Sequence, residues 1–175
     1  MPEVYTVWLV VRVHHVTYVT PSLTTLFGGR LRKAHIPVSK EPIGLSRSDG
    51  KRLDGATLVP WSRGRPLAWD VTVPDAYAAS HIQATAISAG AAAEKALDNK
   101  RVKYNDLATT HIFVLIAVET SGAWCSQSAQ FIEDLGRRIT AVTNEPLETT
   151  YLYQRLSVSL QRGNAVAFNN TFLET

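Results

Sequence analysis

Apolar and polar positions along the chain mark out its elements from Ile36 onward. Ile36 to Leu45 is strand-like but interrupted by Pro37 and Pro42, as suits the edge of a sheet. Ala56 to Trp61 and Leu67 to Val73 read as two strands joined by a short basic turn, Ser62-Arg63-Gly64-Arg65. Pro74-Asp75 then offers a helix start, with Asp75 as N-cap. The alanine-rich run to Asn99 carries Ile82, Ala86, Ala89, Ala93 and Leu97 at helical spacing, with Gly90 as its weak point or bend. His111 to Val118 is almost continuously apolar, the pattern of a strand buried on both faces. Ser126 or Ser128 opens a helix with Ile132, Leu135, Ile139 and Val142 on one side, ended by Thr143-Asn144-Glu145-Pro146. A last helix stacks Leu152, Leu156 and Leu160, with Gly163 as its expected stop.

The order strand–strand–strand–helix–strand–helix–helix predicts an α/β fold, a mixed β-sheet flanked by helices. Residues 1–33 stand apart as an N-terminal arm. Val4 to Val19 is rich in β-branched and aromatic residues and suggests one or two strands or an irregular segment. The flexible Gly28-Gly29 and a basic knot, Arg30-Leu31-Arg32-Lys33, follow. Residues 34–168 form the expected domain, and 169–175 a tail.

A chain of 175 residues, 45% of them hydrophobic, is most simply one domain with a proper core. Its single cysteine, Cys125, gives neither a disulfide framework nor a cysteine-rich zinc site, and suits an intracellular, reducing compartment. The run Val7 to Val11 is cut by Arg12, His14 and His15, so no membrane span is expected. Net charge is only +3, yet nine basic residues face three acids between Arg30 and Arg65. That imbalance suits a polyanionic partner.

Two acids flank the predicted hairpin. Asp54 sits at the mouth of its first strand and Asp70 inside the second. Adjacent strands lie about 5 Å apart, so two carboxylates can converge on one point, as a hard cation such as Mg²⁺ requires. Asp54-Gly55 taken alone is also a common turn. Asp70, amid Leu67-Ala-Trp-Asp-Val-Thr-Val73, is unfavourable in a strand unless paired or metal-bound. The five histidines are scattered, His81 being the one positioned to line the same cleft. Trp61 and Trp69 could stack on bases but read first as core residues, and Arg155 and Arg162 could reach a backbone phosphate, a solvated helix face being the simpler account.

The stretch Ile36 to Gly55, with Leu58-Val-Pro-Trp61 and Trp69-Asp-Val-Thr-Val73, resembles the C-terminal region of retroelement-derived, reverse-transcriptase-like proteins of invertebrates. The architecture and the pairing of Asp54 with Asp70-Val-Thr also resemble the restriction-endonuclease-like superfamily, the PD-(D/E)xK nucleases. That resemblance implies a Mg²⁺- or Mn²⁺-dependent endonuclease acting on DNA in the nucleus, with Asp54 and Asp70 as metal ligands. It implies a catalytic lysine as well. The usual position, two residues after the second acid, is Thr72, and Leu53 replaces the motif proline. Some members take the lysine from the following helix, which makes Lys103 or Lys100 the candidate, with Lys95 weaker. Lys51, Arg52, Arg63 and Arg65 are the expected nucleic-acid contacts. A non-catalytic nucleic-acid-binding domain of the same ancestry is the alternative. The lysine sets a geometric demand. An unbroken helix from Asp75 would carry Lys100 more than about 30 Å away, at about 1.5 Å per residue, so a break near Gly90 or a return across the sheet is required.

Overall fold

The computed structural model describes residues 19–45 and 52–171. Lys51, the expectations for residues 1–18, and the end of the tail from 172 lie outside them. Residues 19–33 form helix α1, and three strands follow: β1 (Val38–Lys40), β2 (Gly55–Ser62) and β3 (Arg65–Thr72). The short helix α2 (Ile82–Ile87) and α3 (Ala91–Lys103) lead through a 3₁₀ turn to β4 (Ile112–Ala117). Helices α4 (Ser126–Thr143) and α5 (Glu148–Thr171) complete the chain.

The sheet has strand order β1-β2-β3-β4, its first three strands antiparallel and β4 parallel to β3. The architecture is therefore mixed α/β, a four-stranded mixed sheet with flanking helices. β1 is an edge of three residues, as its prolines dictate. β2 tolerates Pro60 because β1 reaches only as far as Thr57, and the β2–β3 register shifts around that proline.

Alternation along the strands sends side chains to two faces. Leu67, Trp69 and Val71 of β3, with Val114 and Ile116 of β4, pack against α1, α4 and α5. On the other face Leu115 and Ala117 meet Ala93 and Leu97 of α3. Helix α1 belongs fully to the first core, since Val19, Leu23, Phe27 and Leu31 are completely buried. It runs without interruption through Gly28-Gly29, where the sequence suggested a flexible joint. The buried i, i+4 stripe outweighs the low helix propensity of two glycines.

Two other expectations are corrected. Helix formation does not start at Asp75: its carboxylate caps a turn, accepting the Tyr77 N–H at 2.9 Å, and regular helix begins at Ile82. Gly163 does not stop the last helix, which continues to Thr171. Its missing side chain serves close packing, because a Cβ there would lie 2.2 Å from Val19. Trp69 is buried as expected, and Trp61 packs on Phe131 with Arg138 stacked over its ring at 3.7 Å. Cys125 is buried beside Ser128. Among the described residues no helix is long and apolar enough to cross a membrane.

Candidate functional site, a carboxylate pair with a delivered lysine

The β2–β3 pairing brings the two acids together. Gly55 lies opposite Trp69, so Asp54, immediately before β2, falls beside Asp70 on β3. Asp54 Oδ2 accepts the backbone N–H of Val71 at 2.6 Å, which ties its carboxyl to the neighbouring strand. The two carboxyls are close enough for their like charges to interact. Gly55 is not a turn residue. It is a strand residue that leaves space for the Trp69 indole, since a Cβ there would sit 2.1 Å from the ring.

Helix α3 supplies the cation. The helical run breaks after Ile87, and Gly90, at φ +89°, reorients the chain before α3 begins at Ala91. A glycine is needed there twice over, for its left-handed backbone and because a Cβ would come within 3.0 Å of the Trp124 carbonyl oxygen. The stripe of α3 that packs on β4, Ala93 and Leu97, continues at helical spacing to Lys100 and Tyr104. Lys100 Nζ makes an ion pair with Asp70 Oδ2, and the Tyr104 hydroxyl donates to the same oxygen at 3.3 Å. The Tyr104 ring is buried against Phe113, with centroids 4.4 Å apart, which holds its hydroxyl in place.

The electrostatics follow from this packing. Burial, opposed by the Val71 N–H bond and reinforced by the facing Asp70, raises the Asp54 carboxyl from its ordinary 3.8 to about 6. Like charges this close resist joint ionisation, and Lys100 only partly relieves them. Below about pH 6 Asp54 therefore keeps its proton, and a divalent cation between the carboxyls would favour the ionised form instead. Two oxygen-donor carboxylates suit Mg²⁺ or Mn²⁺, which take one or two protein carboxylates and keep several waters. Among the described residues no group of three or more His, Cys, Asp or Glu side chains converges on a point.

Of the sequence-derived candidates, Asp54, Asp70 and Lys100 come together. Lys103 and Lys95 are exposed, with no ion pair to either acid among the described residues. Arg63 and Arg65 lie at the turn of the hairpin, the opposite end from the acids. The eight residues of β2 put them about 25 Å from Asp54 at roughly 3.3 Å per residue. Arg65 instead donates to the Ala108 carbonyl oxygen at 2.9 Å. Arg52 is exposed next to Leu53, close in sequence to the site. His81 is engaged elsewhere, its Nδ1 3.0 Å from the Asp75 carbonyl oxygen. Sequence reasoning missed Tyr104 as part of the cluster. Tyr104 closes the Lys100-Arg101-Val102-Lys103-Tyr104 string that made the lysines candidates, and its i, i+4 spacing from Lys100 on the apolar stripe was the signal for a role of its own.

The chain matches no known protein-family model and no curated protein.

Proposed function

We propose that this chain is a restriction-endonuclease-like domain of a mobile element, and that Asp54, Asp70 and Lys100 form a Mg²⁺- or Mn²⁺-dependent site for cutting DNA in the nucleus. The observation that carries this reading is the Lys100–Asp70 ion pair, made from the helix after β3 rather than from position 72. Chain order supports it too: helix, three antiparallel strands, helix and a parallel strand, with one acid opening the second strand and the other inside the third.

Asp54 and Asp70 would hold the cation, which when bound polarises the scissile phosphate and acidifies an attacking water. Lys100 orients that water and offsets charge building on the phosphorane oxygens. Tyr104 and the Val71 N–H fix the two carboxyls so that this geometry pre-exists substrate. The water oxygen bonds to phosphorus as the bond to the leaving sugar oxygen breaks. The water loses a proton and the leaving oxygen gains one, so no further reactant is needed.

One observation favours the alternative, a non-catalytic nucleic-acid-binding domain of the same ancestry. Lys100 and Tyr104 both engage Asp70 Oδ2 and would compete with a cation for that carboxylate. Nicking of supercoiled plasmid separates the two readings. An active domain nicks with Mg²⁺ or Mn²⁺, stops with chelator, and loses activity in D70N. Binding without any nicking, at every metal tried, leaves the alternative standing.

A further inference from the structure

The basic turn lies at the far end of the hairpin from the carboxylates, so phosphates next to the acids need other cations. Two recesses flank helix α1. The smaller, about 90 Å³, opens between α1 and β1 beside Asp54, and Thr24, Arg32, Lys40 and Trp69 help to line it. Lys40 pairs with Gly55, which in turn pairs with Trp69, so these three residues form one row across the end of the sheet. Arg32 folds back along α1, its Nη1 4.0 Å from where a Gly28 Cβ would stand. The Thr24 hydroxyl and the Trp69 indole N–H are both buried and have no hydrogen-bond partner among the described residues. Two unmatched donors in the wall of one recess are costly unless an acceptor joins them.

The larger recess, about 610 Å³, lies between α1 and α5 and is lined by Ser22, Ser159, Arg155 and Arg162 among others, with no carboxylate. Arg30 is close enough to Arg155 for their like charges to interact. Thr25, exposed on the outer side of α1, lines both recesses and so joins them. None of Arg32, Lys40, Arg155 and Arg162 makes an ion pair with a described residue, unlike Lys33, which is held by Glu148. Positive charge without internal partners is charge available to a polyanion.

We infer that one strand of a DNA duplex lies along this path, its phosphates on Arg32 and Lys40 beside Asp54 and then, across Thr25, on Arg155 and Arg162. The crossing of α1 is about one helix diameter, 10–12 Å, or roughly three steps of duplex at about 3.4 Å each. The inference rests on the nuclease reading for its choice of DNA, and it assigns the binding face to α1 and α5 instead of the hairpin turn.

Fluorescence anisotropy with a short synthetic duplex tests it, on the full chain in chelator so that neither metal nor cleavage enters. The expected result is salt-dependent binding by the wild type. R32A/K40A and R155A/R162A should each lower the salt slope by about 1.8, or about 0.9 per lost phosphate contact, and R63A/R65A should leave it unchanged. All six side chains are solvent-facing, so circular dichroism should show every variant folded. Slopes unchanged in the first two variants but lowered in R63A/R65A place DNA on the hairpin turn, and overturn the path while sparing the nuclease reading. A loss in only one of the first two variants overturns its continuity. No duplex binding by the wild type at low ionic strength overturns both the path and the DNA reading beneath it.

Discussion

At the open end of the β2–β3 hairpin, Asp54 and Asp70 sit side by side and Lys100 reaches in from another element. At its turn, Arg63 and Arg65 project into solvent, and Arg65 finds only a backbone carbonyl. Both ends carry conspicuous charge, and both are fewer than a dozen residues from each other in sequence. Only one end is built. The acids are held by a backbone N–H, a buried tyrosine and a helix redirected at Gly90, whereas the arginines are held by almost nothing. Charge density along a sequence thus does not locate a site. The convergence of separately anchored groups does.

The largest effect expected from this contrast is on catalysis at the open end. K100A should reduce plasmid nicking by at least about 100-fold, the usual scale for a positioned proton-handling or charge-stabilising group. K103A, one turn away on the exposed side of α3, should nick like the wild type. Equal losses in the two variants would mean that α3 contributes only diffuse positive charge, and would remove the distinction between the hairpin's two ends.

The strands, the mixed character of the sheet and the boundaries of α4 were legible because they rest on local signals. Prolines confine β1 to an edge, the continuous apolar run of His111 to Val118 dictates a buried strand, and Asn144 ends α4 in the left-handed conformation at φ 58°. The break near Gly90 was legible too, as a geometric demand of the lysine. What failed has a common physical cause. Gly28-Gly29, Gly55 and Gly163 all look like punctuation when read locally. In the fold Gly28-Gly29 are carried inside a helix by a buried stripe. Gly55 and Gly163 are places where another element comes too close for a side chain. The choice between Lys100 and Lys103 was likewise a matter of which face of α3 meets the sheet. Ala93, Leu97 and Tyr104 decide it together, and none of them decides it alone.

Glycines sharpen the comparison next. G55A sets a methyl group inside the Trp69 ring and should destabilise the protein by about 3 kcal/mol in urea unfolding, at the upper end of overpacking costs. Gly64, in the turn, also has positive φ, but a Cβ there meets nothing within 4 Å. G64A should therefore cost about 1 kcal/mol, from backbone strain alone. Similar costs at the two positions would show that Trp69 gives way, and that the open end is less tightly built than its packing implies.

The raised Asp54 carboxyl makes a third test, with a definite sign. Its folded value of about 6 lies above the ordinary 3.8, so the folded state binds that proton more tightly than the unfolded chain does. The stabilisation is complete below about pH 4 and is lost as pH rises through about 6. The full difference of about 2 pH units corresponds to roughly 3 kcal/mol, an upper value for a partly exposed group. D54N keeps a carbonyl oxygen for the Val71 N–H and removes the repulsion with Asp70. It should match or exceed wild-type stability by 1–2 kcal/mol at about pH 8, with the advantage gone near pH 4. Mg²⁺ should raise the melting temperature of the wild type at pH 8 and leave that of D54N unmoved. A pH-independent difference between the two proteins would mean that Asp54 is not raised by its surroundings.

The smallest effect belongs to the turn itself. R65A removes one exposed hydrogen bond to the Ala108 carbonyl, which water can replace. R63A keeps the same left-handed backbone strain, because Arg63 already sits at φ 50° with an exposed side chain. Neither loss leaves a buried group unmatched, so both variants should stay within about 0.5 kcal/mol of the wild type in urea unfolding. Their nicking rates should also be unchanged, since no element carries either guanidinium toward the acids. A substantial loss of nicking in R63A/R65A, with stability intact, would mean that substrate spans the whole hairpin and that its two ends work as one surface.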